Sequence, residues 1–170
     1  RRVLFRSVIV KGFKSYGNKI VFGPFSSGKN AIVGLNGSGK SNFYTAISFV
    51  LLDDYSRLQQ SDKKSLLYEG KGESAKTAYV EIIFDNSKRK IPIDTNEVSI
   101  KRVISVKKDG YYINGKNATR HDVNNVLESC EFTPSNGYYI VRQGRVNTLA
   151  LMKDKDRLDL LLEISGAKYY

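Results

Sequence analysis

Three glycines, two serines and a lysine stand close together in the stretch GLNGSGKS that begins at Gly34. Glycines let the backbone curl so that successive N–H groups point at one anion, and the pattern G-x-x-x-x-G-K-[ST] adds an ammonium and a hydroxyl. We therefore expect Gly34, Gly37 and Gly39 to cradle the phosphates of a nucleoside triphosphate. Lys40 should reach the β- and γ-phosphates, and the Ser41 hydroxyl should bind Mg²⁺.

The residues on either side of this loop predict the elements that must position it. The run Asn30–Val33 is apolar and β-branched, and it predicts a short buried strand that leads directly into the glycines. After the loop, apolar residues recur at steps of three and four, which predicts an amphipathic helix whose N-terminus faces the phosphates. The apolar positions of that helix are Phe43, Ala46, Ile47, Val50 and Leu51.

Further elements follow from alternation, turn residues and capping signals. Lys107-Lys108-Asp109-Gly110 predicts a hairpin turn, because Asp-Gly readily adopts positive φ angles. Thr119, with Asp122 three residues later, predicts a helix start with a capping box. The predicted strands are Ser7–Val10, Lys19–Phe22, Thr77–Phe84, Glu97–Val106, 111–113 and Gly137–Val141, and the predicted helices are the one that follows the glycine loop, Lys63–Leu67, 120–128 and Asp154–Ser165.

Composition limits the class of protein. The 170 residues suit one compact domain or a large part of one, and the sequence starts with Arg1 rather than Met, so we expect a piece of a longer protein. The 28 Lys and Arg residues exceed the 17 Asp and Glu residues, giving a net charge of +11 that favours an acidic partner such as DNA. A single cysteine, Cys130, fits a reducing compartment. No apolar run approaches the length of a membrane span.

Several segments resemble one family of chromosomal ATPases. The loop with its next residue, Asn36 to Asn42 (NGSGKSN), is similar to the loop of ATP-binding-cassette ATPases of the structural-maintenance-of-chromosomes (SMC) and Rad50-like branch. The opening VKGFKSY that ends at Tyr16, the stretch Phe49–Ser56, the lysine-bearing hairpin and the segment Tyr139–Val146 resemble SMC heads, and most closely the cohesin branch. The similarity extends from Val3 over nearly the whole chain.

This resemblance implies an α/β fold. It would be the N-terminal lobe of an ABC-type (RecF/RecN/SMC-like) P-loop ATPase head, with an antiparallel β subdomain and flanking helices. Residues 3–150 would form the lobe, and residues 151–170 would begin the helix that leads toward a coiled coil.

The resemblance also implies roles for residues outside the glycine loop. Gln143 would be the Q-loop glutamine, which contacts Mg²⁺ and positions water, and Lys14 would be a basic residue near the nucleotide. Lys107 and Lys108 match acetylation targets that the family is thought to use in sensing DNA and the γ-phosphate. Acetylation would remove their charges. The implied ATP-binding set is Lys14, Gly34, Asn36, Gly37, Ser38, Gly39, Lys40, Ser41, Asn42 and Gln143, with Lys40 and Gln143 catalytic.

Two positions depart from the family pattern, and two motifs are absent. Gln59 stands where a finger arginine is expected, the nearby arginine is Arg57, and Arg142 replaces the usual proline or glycine before the Q-loop glutamine. No apolar run ends in Asp-Glu, as a Walker B strand would, and no LSGGQ-type signature occurs. His121 stands at a helix start, and we assign it no catalytic role.

We therefore expect an ATPase only in the intact protein, with this stretch alone inactive. Its implied partners are the C-terminal half of its own head, a second SMC head, a kleisin subunit and DNA, in the nucleus and on chromosomes. The alternatives are a Rad50-like or bacterial-type SMC ATPase, a transporter nucleotide-binding domain and a non-catalytic module with a vestigial loop. The lysine hairpin and the DDYS stretch that ends at Ser56 argue against the first. The long separation of Ser41 from Gln143 argues against the second, and the intact Lys40, Ser41 and Gln143 argue against the third.

Overall fold

The chain contains a six-stranded antiparallel sheet. The computed structural model describes residues 3–51, 55, 58–70, 74–130, 132 and 151–164. The chain divides into two compact units, Arg1–Ser135 and Asn136–Tyr170. The predicted boundary at residue 150 lies outside the described residues and stays a prediction.

The first unit contains every strand that the structure describes. The sheet has the strand order β2-β1-β3-β4-β5-β6, and all of its neighbouring pairs are antiparallel. Its elements in chain order are β1 Leu4–Lys11, β2 Ile20–Phe22, α1 Lys40–Leu51, α2 Gln60–Leu66, β3 Thr77–Asp85, β4 Glu97–Ser105, β5 Asp109–Ile113, β6 Lys116–Ala118 and α3 Arg120–Ser129.

One face of the sheet is buried beneath α1. Side chains alternate along β1, β3 and β4, so every second residue points to this face, and α1 packs on β3 and β4. The apolar positions predicted for α1 agree with this packing, because four of the five are buried. The buried residues are Val8 and Val10 of β1, Ala78, Val80, Ile82 and Phe84 of β3, Val98, Ile100, Arg102 and Ile104 of β4, and Phe43, Ala46, Phe49, Val50 and Leu51 of α1.

Most predicted elements are confirmed, with ends moved by a few residues. Helix α3 begins as expected, because Thr119 accepts from the N–H of Asp122 and the Asp122 carboxylate accepts in return from Thr119. Helix α2 begins three residues earlier than predicted, with Gln59 at its N-cap. The predicted strand Gly137–Val141 lies outside the described residues.

Two predictions are wrong. The run Asn30–Val33 is not a strand, and its residue Val33 is 89% exposed. A β-branched run forms a strand only where another strand pairs with it, and no described strand pairs with this run. The second error concerns Asp109 and Gly110, which belong to β5 rather than to the turn, so the turn is formed by the residues just before them.

The second unit contains one described helix, α4, from Asp154 to Ile164. This confirms the predicted terminal helix as far as Ile164, and its predicted last residue, Ser165, lies outside the described residues. Arg157 forms an ion pair with Asp154 one turn earlier, at 3.8 Å. Among the described residues, no helix is both long enough and apolar enough to cross a bilayer.

Candidate functional site

The glycine loop lies at the N-terminus of α1, as its spacing predicts. Helix α1 begins at Lys40, and Gly37 and Gly39 both have positive φ, at +81° and +99°. Such angles are unfavourable for residues with a Cβ atom, so the curl of the loop depends on glycine at these two positions. The loop and the first turn of α1 therefore form one continuous backbone feature.

Lys40 folds back over this loop. Its ammonium donates to the carbonyl oxygen of Gly34 at 2.6 Å and to that of Leu35 at 2.7 Å. The positive charge thus lies on the concave side of the loop, next to the glycine backbone. A cation held there by neutral carbonyls can exchange those oxygens for phosphate oxygens, which are stronger acceptors.

The loop also carries hydrogen-bond donors suited to an anion. Among the described residues, no protein oxygen accepts from the backbone N–H of Gly37, Gly39 or Lys40. Unpaired N–H groups at a helix start, together with the helix dipole, favour a bound phosphate. The residues present therefore fit ATP, and Ser41 in the first turn of α1 is exposed and can offer its hydroxyl to Mg²⁺.

A turn between β1 and β2 supports the loop from behind. The Tyr16 hydroxyl donates to the carbonyl oxygen of Gly39 at 2.7 Å, and the Asn42 side-chain amide donates to Ser15 Oγ at 3.0 Å. Burial raises the pKa of Tyr16, which keeps its hydroxyl protonated and able to donate. The predicted ATP-binding residue Asn42 is thus engaged with the supporting turn.

Lys14 lies in this same supporting turn. It has a positive φ of +51°, and its backbone N–H donates to Leu66 O at 2.9 Å. This bond fixes the turn to the end of α2. The structure therefore brings Lys14 into the segment that touches the glycine loop, one residue away from Ser15.

An aromatic cluster lies under the start of α1. Phe43 contacts the ring of Phe22 at 4.5 Å between centroids, and Phe22 contacts Tyr16 at 5.6 Å. These rings join β2, the supporting turn and α1 in one packed group. Sequence reasoning missed this support, although the aromatic residues flanking the glycine loop are visible in the sequence.

Lys107 and Lys108 directly precede Asp109, and Arg102 joins the Asp109 carboxylate to the Phe49 carbonyl at the end of α1 that is opposite to the glycine loop. Both are exposed in the short connection between β4 and β5. Ser105 closes this connection, because its N–H donates to Lys108 O at 2.8 Å and its hydroxyl accepts from the Lys108 N–H at 3.0 Å. We call residues 105–109 the lysine turn.

The other predicted site residues are less informative. Gln143 lies outside the described residues, as do Arg57 and Arg142. Gln59 caps α2 through its backbone, and His121 is exposed at the start of α3. Among the described residues, no group of three or more His, Cys, Asp or Glu side chains could hold a metal ion.

Comparison with known proteins gives consistent matches. The family described as "RecF/RecN/SMC N terminal domain" matches residues 4–161. The chain is 52% identical over 165 residues to the chromosome segregation protein sudA of Emericella nidulans, and this match spans 97% of the chain and 14% of that relative. It is 48% identical over 165 residues to structural maintenance of chromosomes protein 3 of Arabidopsis thaliana, again with 97% and 14% of the two lengths covered.

Solved structures show the same similarity. One is described as "Structural biochemistry of ATP-driven dimerization and DNA stimulated activation of SMC ATPases"; it has a TM-score of 0.81 and 41% identity, and the match covers 94% of this chain and 98% of that one. Another is a crystal structure of "the SmcHead bound to the C-winged helix domain of ScpA", with a TM-score of 0.84 and 41% identity over 95% of this chain and 51% of that one.

Proposed function

Since the chain belongs to the RecF/RecN/SMC N-terminal domain family, we propose that it is the ATP-binding half of an SMC ATPase head, and that the intact protein hydrolyses ATP. The chain spans about 14% of the length of the curated relatives it matches. The observation that carries the proposal is the glycine loop at the start of α1, with the Lys40 ammonium inside its curve.

Each residue of the loop has a distinct task in this proposal. The backbone N–H groups of Gly37 and Gly39 donate to phosphate oxygens, and Lys40 exchanges its two carbonyl partners for the β- and γ-phosphates. Ser41 would offer its hydroxyl to Mg²⁺, and Gln143 would contact the same ion and position the attacking water. What ATP supplies when bound is a triphosphate that two heads can hold from opposite sides.

The proposed site is only half of a catalytic centre. The sequence contains neither a Walker B run nor a signature motif, so groups that polarise water and contact the far side of the γ-phosphate must come from elsewhere. We assign the Walker B residues to the C-terminal segment of the same protein and the signature loop to a partner head. The exposed apolar residues Ile32, Val33 and Leu35 beside the loop give that segment a surface to cover.

The proposed biological role is in cohesin. The similarity to structural maintenance of chromosomes protein 3 favours the third SMC subunit, acting in the nucleus on chromosomes and in sister chromatid cohesion. A kleisin partner is proposed because a matching Smc head was solved with part of ScpA. The net charge of +11 favours DNA as a further partner, because Lys and Arg residues displace counterions from its phosphates.

Lys107 and Lys108 are the proposed sensors of that DNA. Both ammonium groups are exposed at the tip of the lysine turn, where a phosphate backbone can reach them. Their acetylation would remove two charges and weaken this contact. The DNA-stimulated part of ATP hydrolysis would then fall.

Titration calorimetry of the full-length protein with MgATP tests the proposal. Lys40→Ala removes charged hydrogen bonds and should weaken ATP binding by roughly 10- to 150-fold. Lys116→Ala removes an exposed lysine of β6 and should leave the affinity unchanged, which makes it a matched control for lost charge. Equal affinities for the two variants would show that the glycine loop does not hold ATP.

A further inference from the structure

Arg102 interrupts the apolar side of β4. The residues of β4 that point to the buried face are Val98, Ile100, Arg102 and Ile104, and the Arg102 side chain is only 2% exposed. A buried guanidinium is tolerated only where its charge and its donors are fully engaged. The contacts that engage it therefore indicate what this position does.

The first set of contacts reaches the lysine turn. Arg102 Nε donates to Asp109 Oδ1 at 3.0 Å, and Arg102 Nη2 donates to Asp109 Oδ2 at 2.6 Å. This two-bond geometry fixes direction as well as distance. Asp109 directly follows Lys108, so the guanidinium holds the turn by its last residue.

The second set of contacts reaches the C-terminal end of the helix that starts in the glycine loop. Arg102 Nη1 donates to Phe49 O at 2.8 Å, and Arg102 Nη2 also donates to Tyr55 O at 2.7 Å. The Phe49 carbonyl is one of the last four of α1, which lack helical partners, and a cation there also favours the helix dipole. The guanidinium lies 4.2 Å from the Phe49 ring and 5.0 Å from the Tyr111 ring, which fixes its plane.

One side chain thus joins the lysine turn to α1. Lys40 and Phe49 are nine residues apart on that helix, which corresponds to about 14 Å. A helix packed along its length moves as a rigid body rather than bending at one residue, so a displacement at Phe49 also moves the backbone at Lys40.

We propose that Arg102 is a positioning residue that couples the charge state of Lys107 and Lys108 to the glycine loop through α1. The inference rests on the proposed function, because it assumes that the loop binds ATP and that the turn meets DNA. When DNA phosphates engage the two lysines, Asp109 shifts with the turn, and the guanidinium carries that shift to Phe49 O and Tyr55 O. When the two lysine side chains are neutral, the lysine turn does not shift on DNA, and α1 keeps the position that it has without DNA.

Arg102→Lys tests this coupling. A lysine keeps the positive charge, but it cannot make the two-bond contact with Asp109 and reach both carbonyls as well. In the full-length protein assembled with its partner head, ATP affinity should stay within about twofold, while DNA stimulation of hydrolysis should fall roughly threefold to tenfold. Lys101→Met is the matched control, because Lys101 is next to Arg102 on β4 and contacts Tyr79 and Tyr112 on the opposite face of the sheet. The control should leave DNA stimulation unchanged.

The decisive readout is the combination with Lys107→Gln/Lys108→Gln. In the unsubstituted protein this pair should reduce DNA stimulation, and in the Arg102→Lys background it should add no further reduction, because both act through one link. A role of Arg102 in stability alone would instead let the two reductions multiply, and that result would overturn the coupling, as would undiminished stimulation in Arg102→Lys.

A second variant covers the case in which Arg102→Lys does not fold. Arg102→Met/Asp109→Asn removes both charges, so neither is left buried without its partner. It should show the same loss of DNA stimulation and the same insensitivity to Lys107→Gln/Lys108→Gln, and full sensitivity would overturn the coupling. If the unsubstituted protein does not bind and hydrolyse ATP, the proposed function fails. If it does both and the reductions multiply, only the coupling fails.

Discussion

Gly39 should be the least replaceable glycine of the loop. It has a φ of +99°, and a Cβ atom added there would lie 2.7 Å from Ser15 Oγ and 3.2 Å from the Tyr16 hydroxyl. Gly37 also has a positive φ, at +81°, but an added Cβ would meet nothing within 4 Å. Gly39→Ala and Gly37→Ala therefore share backbone strain but differ in steric contact.

The magnitude follows from these contacts. An alanine in the left-handed region costs roughly 1–2 kcal/mol. In Gly39→Ala, Ser15 must also rotate away and lose the hydrogen bond from Asn42, which adds about 1 kcal/mol. The sum is about 2–3 kcal/mol. The free loop relieves this cost by leaving the phosphate-binding conformation, and ATP binding must restore that conformation, so we expect ATP affinity to weaken roughly 30- to 150-fold for Gly39→Ala. The same arithmetic gives roughly 5- to 30-fold for Gly37→Ala.

Titration calorimetry of the full-length variants with MgATP measures both values. The sharper comparison uses Ser15→Ala, which should weaken binding about fivefold in the unsubstituted protein through loss of the Asn42 bond. In the Gly39→Ala background, Ser15→Ala should have no effect, because that bond is already lost. If the effects of Ser15→Ala and Gly39→Ala multiply, Ser15 is not displaced and the steric reasoning is wrong.

Three further outcomes follow from the fold. Asn86→Ala removes four hydrogen bonds that a buried amide makes to the loop after β3, so the free energy of unfolding should fall by about 2–4 kcal/mol. Thermal or denaturant melts measure this change, and Lys90→Ala, at an exposed position, is the control. The hydrogen bonds of Thr119, first from its side chain and then from its backbone, lower the pKa of Asp122. The contribution of Asp122 to the free energy of unfolding is therefore complete above the ordinary pKa of about 3.9, and it is lost as pH falls through the lower pKa of the folded state. The stability difference between the protein and Asp122→Ala should therefore shrink in acid, and a constant difference would contradict this. Burial raises the pKa of Cys130 to about 11, so iodoacetamide should label it in the denatured protein far faster than in the native one at pH 7.5, as followed by mass spectrometry.

The sequence predicts the parts of the fold that depend on local pattern. Alternation along β3 and β4 and the three- and four-residue steps of α1 are local properties, so they locate these elements to within a few residues. The capping residues Thr119 and Asp122 fix the start of α3 for the same reason. The loop from Gly34 to Ser41 is also local, since its conformation depends on glycines within the motif itself.

The errors arise where a distant partner decides the conformation. The run Asn30–Val33 has strand-forming residues but no described strand beside it, so its composition misleads. Asp109 belongs to an Asp-Gly pair, which is typical of hairpin turns. Because Arg102 binds its carboxylate, the residue belongs to β5 instead. The sequence shows that an arginine stands at an inward position of β4. It does not show that this arginine donates hydrogen bonds to carbonyl oxygens on α1 and at Tyr55.

Helix α1 is the element through which both proposals operate. Its first turn is held from the β1–β2 side by Tyr16 and by the pair Ser15–Asn42, and its last turn is held from the β4–β5 side by Arg102. Between these ends, the helix is held by apolar packing on the sheet, which has no directional bonds of its own. The glycine loop is thus joined to the β1–β2 turn at one end of α1, and Arg102 joins the lysine turn to the other end. In the proposed coupling, DNA at the lysine turn shifts the C-terminal end of α1, and the helix carries this shift to the loop because it moves as a rigid body.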